Sequence, residues 1–166
     1  MKLYAGLAAA AALAFVSITP ALAQAPAPAA PTPPPDYGAP INAEQAKAAA
    51  AAAIAEMKKN NWRMAVSVVD SGGNLVYFEK IDGTQHASIE ISHKKASAAA
   101  NFRRNTKAFV DALAGNPGLP TLPGVVISEG GVMLLAGGKL IGAIGCSGGT
   151  GQQDGVACTA GAAVVK

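Results

Sequence analysis

From Ala43 onward the apolar positions follow two rhythms, one helical and one extended, and their order along the chain sets the expected fold. Ala43 to Lys59 is dominated by Ala, Glu, Lys and Met, strong helix formers, with Asn42 placed as an N-cap; this predicts a first helix. Arg63 to Asp70 is β-branched and mostly apolar, Ser71-Gly72-Gly73-Asn74 supplies turn residues, and Leu75 to Lys80 resumes an extended run. The pair reads as a β-hairpin. Asp82-Gly83-Thr84 breaks the pattern, and His86 to about Lys107 then reads as a long helix with Ile89, Ser92, Ala96 and Ala99 near one face. A shorter helical piece follows around Thr106 to Leu113. Between Gly115 and Pro123 the prolines at 117, 120 and 123 remove amide donors, so this stretch is expected as a surface loop.

Beyond that loop, Val125 to Ser128 and Gly131 to Ala136 read as strands. Gly137-Gly138 forms a tight turn, Lys139 to Gly145 another strand, and a last helix starts near Gln152. Successive hairpins argue for an antiparallel sheet with helices packed on it, an α+β domain rather than a parallel doubly wound one.

The first residues follow a different logic. Lys2, an uncharged run from Leu3 to Thr19, and Ala21-Leu22-Ala23 give the pattern of an export signal cut after Ala23. Residues 1–23 are therefore expected as a signal peptide and the mature chain as exported, periplasmic or secreted, with no stable membrane insertion after cleavage. Residues 24–40 are Ala/Pro-rich, with Pro at 26, 28, 31, 33, 34, 35 and 40, which predicts an extended, semi-rigid tether. The folded domain is expected over residues 41–166. Half of the 166 residues are apolar and only 14% are charged, which suits one compact domain. Loss of Lys2 lowers the net charge from +3 to +2, and the remaining cations are doublets such as Lys58-Lys59, Lys94-Lys95 and Arg103-Arg104 interleaved with acids. No concentrated basic face results, so nucleic acid is not an expected partner.

Several segments together carry a family resemblance. These are Val68-Val-Asp-Ser-Gly-Gly-Asn-Leu75, Asp82-Gly-Thr84, Lys94-Lys95-Ala96, the closing Ile141-Gly-Ala-Ile-Gly-Cys-Ser-Gly-Gly-Thr-Gly-Gln-Gln-Asp154, and Ala160-Gly-Ala-Ala163. The chain resembles the GlcG/HbpS family of haem-binding or haem-degrading domains, related to the C-terminal domain of PduO. The resemblance covers about Ile41 to Lys166. It implies a profilin-like sheet of about five antiparallel strands flanked by helices, assembly into a homo-oligomer, and haem as the cofactor, with iron as its metal.

Ligands do not transfer from the resemblance, so each candidate rests on its own chemistry. His86 and His93 are the two histidines of the chain. Seven residues apart on a helix, they share a face about 10.5 Å apart along the axis, too far for both to hold one ion. Either is an axial haem ligand, or each joins a nearby acid, such as Glu90 beside His93, in a surface metal site; the competing reading leaves both as solvated helix residues. Cys146 and Cys158 are the two cysteines, and export makes a disulfide between them the first expectation, ahead of buried free thiols or a redox role.

The loop Ser147-Gly148-Gly149-Thr150 precedes the last helix, where exposed amides would hold a haem propionate or small carboxylate. The alternative is a turn in which Thr150 or Asp154 caps the helix. No Walker motif follows the glycines, and no histidine follows residue 93 to complete a hydrolase triad. Three functions remain in order: an exported haem-binding protein that stores, senses or degrades haem; an enzyme or accessory domain acting on a small carboxylate or aromatic metabolite; and an oligomeric scaffold without cofactor.

Overall fold

The computed structural model describes residues 33–166; the expected signal peptide and the first part of the tether lie outside the described residues. The element order is α1 (Ala43–Lys59), β1 (Ala65–Asp70), β2 (Leu75–Lys80), α2 (Ala87–Phe102), α3 (Lys107–Ala112), β3 (Gly131–Ala136), β4 (Lys139–Ser147) and α4 (Gly151–Ala162). Four strands pair antiparallel in the order β2-β1-β4-β3, which places the glycine-rich β4 at the centre of the sheet. Among the described residues no helix is long and apolar enough to cross a membrane.

Strand alternation sends Val66, Val68, Ile144 and Cys146 to one face. There they pack under α1 and α4 with Ala46, Ala49, Ala53, Met57 and Ala157. The other face carries Val69 and Ala143 against Ala96, Ala99 and Ala100 of α2. Here the small residues permit a close approach. A Cβ at Gly145 would collide with the Ser92 carbonyl oxygen, so α2 crosses β4 where no side chain fits. Across the same layer Ser67 and Ser92 share a buried hydroxyl hydrogen bond of 2.8 Å.

The helix starts follow their sequence signals. Asn42 and Gln45 form a reciprocal capping box at α1, and Thr150 and Gln153 form another at α4. Two expectations change. Val125 to Ser128 is not a strand, because Val125, Val126 and Ile127 pack beside Ala98, Phe109 and Leu119 in a small cluster instead of pairing with the sheet. Among the described residues the sheet therefore has four strands, not about five. The long helix also ends earlier than expected. Arg103 adopts the left-handed conformation, φ 51°, and closes α2 at Phe102 before the chain restarts as α3.

The end of the Ala/Pro-rich stretch is held in place. β1 pairs with β4 only as far as Gly142, leaving Leu140 and Ile141 free on that side. Asp36 to Ile41 fills the gap: Leu140 N donates to Asp36 O, Gly38 N to Leu140 O and Ile41 N to Ile141 O, at 2.7 to 2.8 Å. Arg103 sits over the Tyr37 ring at 5.2 Å and donates to Pro35 O, so the α2 cap and the tether secure each other.

Candidate functional site

The histidines on α2 have different surroundings. His86 occupies the N-terminal boundary of α2, exposed, and caps nothing with its side chain. His93 lies a little under two turns on, half-buried, and its Nε2 is enclosed without a hydrogen-bond partner among the described residues. A buried imidazole nitrogen left unpaired costs about 1–3 kcal/mol, so its retention calls for a reason. His93 forms part of a cleft of about 440 Å³ between α2 and the Gly124–Val126 segment. Ser97, Ala98 and Asn101 continue the α2 wall, and Val125 and Val126 supply an apolar wall opposite.

Glu90 does not join either histidine. Its carboxylate is exposed and bonded to Lys94 Nζ at 2.6 Å, and that hydrogen bond holds the Glu90 carboxyl below its usual range. Among the described residues no group of three or more His, Cys, Asp or Glu converges on a point that would hold a metal ion. Of the residues expected at a surface metal site, His86 is exposed at the helix start, His93 is half-buried, and Glu90, expected beside His93, is bonded to its i+4 lysine.

The glycine loop is organised around an anion that belongs to the chain itself. Asp154, two per cent exposed, accepts from Gly149 N at 3.0 Å and from Gly148 N, and its other oxygen accepts from Lys95 Nζ at 2.6 Å. Thr150 N donates to the Gln153 side chain at 2.9 Å. Ser147 faces inward, with its hydroxyl 3.3 Å from that of Ser88. The amides of residues 148–150 expected to receive a propionate or small carboxylate are therefore already engaged. Burial raises the Asp154 carboxyl above its usual value, against the opposing pull of Lys95 and the loop amides.

Lys95 is the residue that the sequence misplaces. Grouped with Lys94 as a solvated doublet, it is one per cent exposed and reaches from α2 across to α4. Its spacing carried a signal, because Ser88, Ser92, Lys95, Ala96 and Ala99 lie on one helical stripe and all are buried. Cys146 and Cys158 form a disulfide with Cα atoms 5.7 Å apart, joining the central strand to α4.

Comparison with known proteins gives a consistent set of matches. The family model described as "Haem degrading protein HbpS-like" matches residues 41–163. Protein GlcG of Escherichia coli strain K12 is 37% identical over 108 residues, covering 64% of this chain and 81% of that protein. A crystal structure of a double mutant of HbpS from Streptomyces reticuli superposes with a TM-score of 0.73 at 30% identity, covering 86% of this chain and 99% of that one. The crystal structure of a PduOC–haem complex has the same fold, with a TM-score of 0.69 at 24% identity over 76% of this chain and 96% of its own.

Proposed function

This chain belongs to the HbpS-like family of haem-degrading proteins, and from that premise we propose that it binds haem in the cleft between α2 and residues 124–126, with His93 as the iron ligand. The observation that carries the assignment is the orphaned Nε2 of His93. A structural histidine satisfies both ring nitrogens or leaves one in water, whereas this one keeps a buried acceptor or donor without a partner beside an apolar cleft.

Haem, when bound, supplies iron redox and ligand-exchange chemistry; the chain supplies the imidazole and the setting. Ala98, Val125 and Val126 give apolar surface suited to a porphyrin face, and Lys94 puts a cation at the rim, where a propionate would compete with Glu90 for it. Since Nε2 is covered, the ring or the chain around it must move to admit iron, and the 124–126 segment lines the same cleft. That segment pairs with no strand, so its movement leaves the sheet ladder intact.

Titration of the purified apo-protein with haemin tests the reading. One equivalent should produce a saturable shift of the Soret band that His93→Ala abolishes and His86→Ala preserves. Absence of binding by the unaltered chain rejects haem; unaltered spectra in His93→Ala reject the ligand. The proposal extends to export, supported by the charged start, apolar run and Ala21-Leu22-Ala23 pattern, which N-terminal sequencing of the mature protein checks. It extends also to self-association, supported by the family resemblance and by outer strands β2 and β3 that expose Leu75 and Leu135, which light scattering on the eluted protein checks.

A further inference from the structure

The turn between α1 and β1 carries a charge that nothing on the described chain balances. Trp62 N donates to Met57 O at 2.9 Å and Asn61 adopts the left-handed conformation, φ 57°, so the turn is fixed and delivers Trp62 and Arg63 to one place. Trp62 rests half-buried on the core while Arg63 stays exposed. Arg63 lies over Gly83: a Cβ there would come within 2.9 Å of Nη1 and 3.2 Å of Cδ, so the bare glycine makes room for the guanidinium. Among the described residues Arg63 has no carboxylate within ion-pair distance, Asp82 included, and its side chain makes no hydrogen bond.

Two clefts meet at this pair. One, of about 410 Å³, is polar and bounded by Gln85, Gly148, Gly149 and Gln153. The carbonyl of Gln153 is spent on Thr150 N, which leaves its amide NH₂ as a donor. The other, of about 260 Å³, is bounded by Lys58 and Ile81. Trp62 and Arg63 belong to both, and the ionisable residues lining the two clefts are Lys58 and Arg63, both cations.

We propose that Trp62 and Arg63 form a second small-molecule site, selective for a planar organic carboxylate. Arg63 offers the bidentate fork that matches a carboxylate, with side-chain amide donors of Gln153, Gln85 and Asn61 around it. A flat apolar body attached to that carboxylate lies along Trp62 toward Ile81, and Lys58 adds long-range attraction. The site shares no lining residue with the His93 cleft and does not rest on the haem reading.

Trp62 is the single tryptophan of the chain, so its indole N–H gives one assignable cross-peak in a ¹H–¹⁵N spectrum. Titrating the full mature chain with benzoate should move that peak saturably. Arg63→Gln should weaken the apparent affinity about tenfold or more, with Arg63→Lys between the two. Benzyl alcohol and inorganic phosphate should leave the peak in place, and His93→Ala should bind benzoate as the unaltered chain does. No saturable shift, an unchanged affinity in Arg63→Gln, or an equal response to benzyl alcohol or phosphate overturns the proposal. Failure of haem binding leaves each of these outcomes as it stands.

Discussion

Lys95 Nζ and Asp154 Oδ2 meet at 2.6 Å with both side chains buried, and this contact ties α2, on one face of the sheet, to α4 on the other. The pair passes the start of the edge strand β3, where Gly130 lacks a side chain: a Cβ there would come within 2.7 Å of Asp154 Cβ and 3.1 Å of Lys95 Nζ. A buried ion of either sign left alone is costly. Lys95→Met and Asp154→Ala should therefore each lower stability by about 3–5 kcal/mol. The double variant should lose clearly less than the sum of the two, because neither charge is then stranded. Urea unfolding of the three variants measures this; strict additivity would show that the pair is not coupled.

The extent to which the sequence announces this arrangement differs by element. α1, β2 and β3 occupy the spans that periodicity predicts, because local signals and tertiary packing agree there: Asn42 caps, Ser71 to Asn74 turns, and Gly137-Gly138 turns again. Val125 to Ile127 shows the opposite case. Its composition is that of a strand, yet a cluster with Phe109 and Leu119 claims the side chains, and periodicity alone does not reveal a competing partner. The candidate site was legible at His93 as a residue type and position, but the cleft it lines is completed by the distant 124–126 segment. The glycine loop was legible both as an anion cradle and as a turn capping the last helix; Thr150 does cap α4, and that the loop amides hold Asp154 follows from three-dimensional burial.

The disulfide should be a principal stabiliser. It links two fully buried positions, 12 residues apart, and limits the unfolded chain more than it alters the folded one. Cys146→Ala/Cys158→Ala should lose about 2–4 kcal/mol. Thiol counting on the denatured, unreduced protein should find no free cysteine, and the urea midpoint should fall in the double variant. A midpoint unchanged by the substitution would remove the disulfide from the stability account.

Close packing at Gly145 predicts a severe local effect. An added methyl meets the Ser92 carbonyl, the Ala96 amide at 2.6 Å and the Ala96 side chain at 3.0 Å, so α2 must lift from β4. Gly145→Ala should destabilise by about 1–3 kcal/mol or more. Near-ultraviolet circular dichroism and thermal unfolding would detect the change, and native-like values for both would disprove the tight crossing.

Acid should weaken the β1–β2 hairpin through Asp70. Burial pushes its carboxyl up, but hydrogen bonds from Asn74, Gly72 and Gly73 together outweigh that and hold the group below 3.8. A carboxyl whose folded value is depressed contributes stability above its unfolded value and loses it as pH falls through the folded one. Asp154 has the opposite sign: its raised value gives a contribution present below 3.8 and lost as pH rises through the folded value. Comparing the chain with Asp70→Asn isolates the first effect, since Asp154 is common to both. The stability difference between them should shrink as pH falls from about 5 to about 2. A difference independent of pH would mean that the Asp70 charge adds nothing to the turn.

His93 gives the sharpest separation between a structural and a functional residue. If the imidazole served packing alone, any replacement would cost stability. In the folded chain its Nε2 instead carries an unmet hydrogen bond, beside a cleft whose lining includes Ala98, Val125 and Val126. Replacing a polar group that has no partner by an apolar side chain of comparable size removes a desolvation penalty and leaves no donor stranded. His93→Phe and His93→Leu should therefore raise the stability of the apo-protein, by up to about 1–3 kcal/mol, while eliminating the Soret shift with haemin. Thermal unfolding without haemin and titration with it read the two effects separately. Added haemin should stabilise the unaltered chain in proportion to its binding and leave His93→Phe unmoved. A loss of apo-stability in both variants would show that the ring is needed for packing, and the assignment of His93 as a ligand held at a cost to the empty fold would then fail.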